Sequence, residues 1–242
     1  MGIGSMALFC GIVFIAAFVQ GISGFAFSMI VLMVLPYLFG YTSALALASL
    51  MAVLLLIENT YLYRKYCNWQ WVPLCAIVSA LADAVGILVL KRVGDNPIWY
   101  TLMGVIFIIM AVYLLWGQGR LRIQATRKTL ILFSLISGLI VGAFGVGGPI
   151  IAAFFLEACK SKEEYLGTMQ VICMCSMLID VFLRAIKGMY SLALCGYALL
   201  SVVFLVTGLI LAKRVVEKMD ALTMRRIICV VMAVNGVVLL LR

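Results

Sequence analysis

Residues 5–39 and 130–159 contain no lysine or arginine, and Glu157 is their only acid. One uninterrupted helix over the first stretch would be roughly 52 Å long at about 1.5 Å per residue, well beyond a bilayer core of about 30 Å. Neither stretch is left whole. "GISGFAF" (21–27) interrupts the first and "GAFGVGGPII" (142–151) interrupts the second. The latter holds four glycines in ten residues, with Pro149 directly after the last of them. Inside a helix Gly costs about 1 kcal/mol against Ala and Pro about 3 kcal/mol, so both stretches read as broken helices. The flanking pieces, of 11 to 16 residues, are expected to be too short to cross a membrane unaided.

The rest of the chain is equally committed to lipid. Apolar runs lie at about 43–63, 72–90, 98–116, 165–186, 192–212 and 222–241, each near the length of one crossing. Two-thirds of the residues are apolar and 11% are charged, where a globular chain carries about 25%. The expected fold class is an all-α polytopic membrane protein with eight hydrophobic segments. No basic residue precedes the apolar core of "MGIGSMALFCGIVFIAAF" and no small-residue cleavage site follows it, so this segment reads as a retained span and not a signal peptide.

Composition also narrows the chemistry. The chain has no histidine, which removes Cys–His metal sites and Ser–His or Cys–His hydrolases. Eight cysteines (10, 67, 75, 159, 173, 175, 195 and 229) show no C-x-x-C spacing and read as small packing residues. No Walker motif occurs. No cofactor, metal or enzymatic activity is expected. The net charge of +9 comes from basic residues in the short connections, without the aromatic interleaving of a nucleic-acid surface. These residues read as topology determinants.

The chain is internally duplicated. "GILVLKRV" (86–93) matches "GLILAKRV" (208–215), and "MAV" recurs at 110–112 and 232–234, both at an offset of 122. The two glycine breaks align at an offset of 124. The halves are 1–119 and 129–242, joined by a basic linker at 120–128. If both broken stretches cross fully, Lys and Arg divide evenly, nine to each side. If each returns to its own face as a re-entrant hairpin, 13 lie on one side and 5 on the other. Positive-inside bias favours the hairpins. Each repeat is then one hairpin plus three spans, an odd number, so the halves are inverted, a plan that recurs in secondary transporters.

Each break opens a new helix, expected at about Phe25 and at Pro149. Helix N-termini present unpaired N–H groups and a positive dipole end, which together suit a small anion. The candidate binding residues are Gln20, Gly21, Ser23, Gly24, Phe25, Gly145, Gly147, Gly148, Pro149, Thr168 and Gln170. Gly138, Gly142 and Gly145 also form a small-xxx-small run, the usual mark of close helix packing. Asp83 and Glu58, ionisable groups within spans, are the candidates for proton coupling. Asp180 and Arg184, four apart on one helix face, read as a local ion pair.

A glycine-broken N-terminal segment that recurs as "GAFGVGGPII", followed by a charged turn and "YLGTM" (165–169), resembles the sulfite exporter TauE/SafE family of anion transporters. Ser23 and Phe25 stand where that family usually has more glycine. The resemblance implies movement of a small sulfur-containing or carboxylate anion, such as sulfite or a sulfonate, across a prokaryotic plasma (inner) membrane by a multi-pass protein. The implied partners are that anion and the bilayer, with assembly into a homo-oligomer left open. A membrane-embedded enzyme and an anion channel of the same fold are the competing readings.

Overall fold

A computed structural model describes residues 3–93, 101, 104–105, 108–109, 111–112, 124–144 and 147–241. Nine α-helices are delimited among these residues: α1 (Ile3–Ser23), α2 (Phe27–Phe39), α3 (Tyr41–Tyr63), α4 (Val72–Val93), α5 (Arg127–Phe144), α6 (Gly148–Ala158), α7 (Lys162–Ile186), α8 (Leu192–Lys218) and α9 (Ala221–Leu240). Among the described residues there is no strand. Five helical segments among the described residues are long and apolar enough to span a bilayer: 4–23, 42–66, 162–186, 192–218 and 221–238. The span expected at 98–116 falls mostly outside the described residues; those described within it are helical.

The helix arms correct one expectation. The helices that precede the breaks are not short: α1 has 21 residues and α5 has 18, whereas α2 and α6, which follow the breaks, have 13 and 11. The apolar runs understate the leading arms at one or both ends. In α5 the helix already begins at Arg127 and Lys128, because a basic pair need not interrupt a backbone ladder, and so the basic linker gives its last two residues to α5. In α1 the helix persists through Gly21 to Ser23, where Gly24 turns it with φ +86°. That left-handed conformation costs a residue with a side chain about 1–2 kcal/mol.

The later helices begin on side-chain caps. Ser161, Ser191 and Asp220 accept from the backbone N–H groups of Glu164, Leu194 and Thr223, which satisfies donors that an unflanked helix start would leave open. At the other end of α8, Lys162 Nζ donates to the Val216 and Met219 carbonyls and so ties the start of α7 to the end of α8.

Lipid tails are as apolar as leucine, so helices in a bilayer associate through close packing and not through hydrophobic exclusion. The glycines supply that closeness. α5 lies along α4 and α1 lies along α8. A Cβ on Gly86 would overlap the Leu139 carbonyl oxygen, and one on Gly138 would overlap that of Ser79. On the other side of the molecule, a Cβ on Gly208 would sit 2.8 Å from both the Phe14 carbonyl oxygen and the Ala17 Cβ, and one on Gly21 would overlap the Ala212 Cβ. Gly86 and Gly208 are the first residues of the two matching octapeptides. In each case the helix before a break lies against the "KRV"-bearing helix from the other part of the chain. α3 and α7 pack together between these two pairs.

Candidate functional site

The first break is held open by its own side chains. Gln20 reaches across it: its Oε1 accepts from Phe27 N–H (2.9 Å), and its Nε2 donates to the Gly24 carbonyl (3.0 Å) and to Gln170 Oε1 (3.4 Å). Ser23 Oγ accepts from Phe25 N–H (3.4 Å) and Ala26 N–H (3.2 Å). α2 starts at Phe27, two residues later than expected, and Ser23 and Gln20 take up the N–H groups of Phe25, Ala26 and Phe27 that the break leaves open. Tyr165, fully buried in α7, donates its hydroxyl to the Ser23 carbonyl at 2.8 Å. An unpaired buried carbonyl costs about 1–3 kcal/mol, so this bond fixes the break to α7, which packs directly against Gly24.

The second break is simpler. α6 begins at Gly148 with Pro149 beside it in the first turn, where a missing N–H costs nothing. The Gly147 carbonyl accepts from Ser137 Oγ at 2.9 Å, which ties the break back to α5. Gly148 faces the first break directly: a Cβ placed on it would lie 2.6 Å from the Phe25 Cβ. The two interruptions are thus in van der Waals contact inside the protein. This is where irregular backbone can survive at membrane depth.

A cavity opens around that contact. It is lined by Gln20, Phe25, Phe27 and Ser28 of the first break, by Gly147 and Gly148 of the second, and by Ser79 and Asp83 of α4, Ser137 of α5, and Cys173 and Ser176 of α7, with apolar side chains between them. Its open space is about 60 Å³, by a measure on which one water takes about 10–15 Å³. That is room for a few waters or one small oxyanion. Asp83, 1% exposed, is among the lining residues, and both of its carboxylate oxygens lack a hydrogen-bond partner.

A family model described as sulfite exporter TauE/SafE matches residues 9–239, nearly the whole chain, including both breaks, the cavity and Asp83. The chain belongs to the TauE/SafE family. That family is one of membrane transporters. No curated protein and no solved structure matches the chain.

The TauE/SafE chain brings together only part of the residue set expected from sequence. Gln20, Phe25, Gly147, Gly148 and Asp83 line the cavity. Ser23, Gly24 and Pro149 are in the breaks themselves, while Gly145 falls outside the described residues. Gly21 faces α8. Gln170 is behind the first break as the partner of Gln20, with its own Nε2 unpaired. Thr168 is elsewhere: its Oγ1 accepts from Asn68 N–H at 3.0 Å, and the neighbouring Gly167 packs on the Tyr63 carbonyl. "YLGTM" therefore anchors the first break through Tyr165 and the 63–68 turn through Gly167 and Thr168. Glu58 is in a separate groove with Asn59, Lys213, Arg214 and Glu217. Asp180 and Arg184 form the expected pair, Nε to Oδ2 at 2.7 Å, buried. The sequence reading missed Tyr165, Ser137 and Ser79. Ser137 was the most accessible of these, being a hydroxyl placed beside Gly138 in an otherwise apolar arm.

Proposed function

We propose that this TauE/SafE chain is a secondary transporter that carries a small sulfur-containing or carboxylate anion, such as sulfite or a sulfonate, across a prokaryotic plasma membrane. The anion is seated in the cavity between the two breaks. The observation that carries this reading is the contact of Phe25 with Gly148, which joins two interrupted helices around one small polar-edged space. At the first break the N–H groups of residues 25–27 are bound to Gln20 and Ser23. The donors for the anion then come from the start of α6 and from the hydroxyls of Ser28 and Ser176, with the positive end of the α6 dipole toward the charge. The test is counterflow of labelled sulfite, sulfoacetate and acetate in liposomes containing the purified protein. Saturable exchange of at least one of them is expected, and exchange of none overturns the reading.

We also read the chain as two inverted halves, 1–119 and 129–242, each with a re-entrant broken hairpin. Support comes from the charge bias and from Gly86 and Gly208, which seat the leading arm of the opposite half in the same way. Single cysteines introduced at Ser161 and Gly119, in a chain without its native cysteines, should react with an impermeant maleimide from the same face. Reaction from opposite faces means that the broken stretches cross fully.

A further inference from the structure

The cavity between the breaks contains a charge that its walls leave unbalanced. Asp83 is the one carboxylate among its described lining residues, no Lys or Arg is among them, and neither of its oxygens has a hydrogen-bond partner. Among the described residues, the surrounding elements offer no compensation. From α7, Asp180 and Arg184 are the charged groups whose fields reach Asp83, but they are bonded to each other and cancel. Tyr190 adjoins that pair and shares a hydrogen bond with Ser49. α7 also brings the Cys173 thiol to the cavity wall, while the described residues of α1, α2, α3, α5 and α6 bring no titratable side chain to it. Glu58 is in the groove beside Lys213 and Arg214, and not in this cavity.

A transported anion and an ionised Asp83 would share this space. At about 5 Å and an effective dielectric of about 20, two like charges lower affinity by on the order of 100-fold. A protonated carboxyl removes that repulsion and adds an O–H donor aimed at the anion.

We propose that Asp83 is the coupling group of the transport cycle: the anion and the ionised carboxylate exclude one another, so each anion crosses with one proton on Asp83. This rests on the transport reading above. On the loading side a proton from water forms the O–H bond on the carboxylate and the anion enters against it. On the release side the anion leaves, the O–H bond breaks, and the proton passes to water.

The test uses the full chain in liposomes with labelled sulfoacetate, or with sulfite if only sulfite exchanges. In the wild type, a pH gradient acid on the loading side drives accumulation, and apparent affinity weakens as pH rises. Asp83→Asn shows affinity that no longer depends on pH and loses gradient-driven accumulation, while Asp83→Glu retains coupling. Accumulation by Asp83→Asn under the pH gradient, or wild-type accumulation that follows a Na⁺ gradient instead, overturns the proposal. Should Asp83→Asn lose counterflow as well, proton uptake on binding decides. Wild-type protein in weakly buffered detergent must take up about one proton per bound anion, and none overturns the proposal. Absence of counterflow in the wild type is a different result, which strikes the transport reading itself.

Discussion

Counterflow is expected to fall about tenfold or more in Gly148→Val, and Phe25→Gly in the same chain is expected to recover a substantial part of it. A Cβ at position 148 would sit 2.6 Å from the Phe25 Cβ and 3.0 Å from its Cδ2. The nearer of these atoms is fixed to the backbone, so no rotamer of Phe25 relieves the overlap. Forcing extra atoms into a packed site costs about 1–3 kcal/mol, and here the strain falls on the contact that holds the two breaks together. The choice of rescue is specific. Phe25→Ala keeps the offending Cβ and should restore little, whereas Phe25→Gly removes it. Size-exclusion profiles and thermal unfolding in detergent separate a closed cavity from a misfolded chain. Wild-type exchange by Gly148→Val, or equal rescue by Phe25→Ala, means that the breaks do not form the site.

Gly142→Ala is expected to be the most destabilising single-methyl change in the α4–α5 pair. The new Cβ would overlap the Asp83 backbone oxygen and lie 2.7 Å from Asp83 Oδ1. Backbone cannot swing aside as a side chain can, so two whole helices must separate. The loss should reach the upper end of the overpacking range, about 3 kcal/mol, and appear as a lower unfolding temperature in detergent. Gly196→Ala is the control, because a Cβ there meets nothing within 4 Å. In that exposed helical position alanine should be neutral or stabilising by up to about 1 kcal/mol. Equal unfolding temperatures for the two variants would mean that α4 and α5 are not interlocked by their glycines.

The helices and the places where they break were legible in the sequence because both depend on local composition. Lipid-length apolar runs have few alternatives to a helix, and clustered Gly and Pro have few alternatives to an interruption. The Asp180–Arg184 pair was legible for the same reason, since four-residue spacing fixes a shared face. What the sequence could not resolve was the allegiance of each polar side chain. Gln20 and Ser23 read as donors for a ligand, yet their hydrogen bonds go to their own break. Thr168 reads the same way and serves the 66–68 turn. An amide or hydroxyl beside a helix break satisfies backbone or ligand equally well, and only the fold decides between them. Tyr165 went unremarked because its partner, the Ser23 carbonyl, is 142 residues away in the chain.

The crosswise packing of α1 on α8 and of α5 on α4 also bears on how the protein is made. α1 leaves the ribosome well before α8, its packing partner, which follows it in the chain only after six other described helices. At about 5–20 residues per second, that interval is on the order of ten seconds. Over that time Ala17, which packs on Gly208, and Phe9, whose ring meets Tyr197, both fully buried in the finished molecule, lack their α8 partners. Packing of α1 therefore waits on α8, and a nascent chain that stalls before α8 presents α1 to the quality-control machinery with its α8-facing side uncovered.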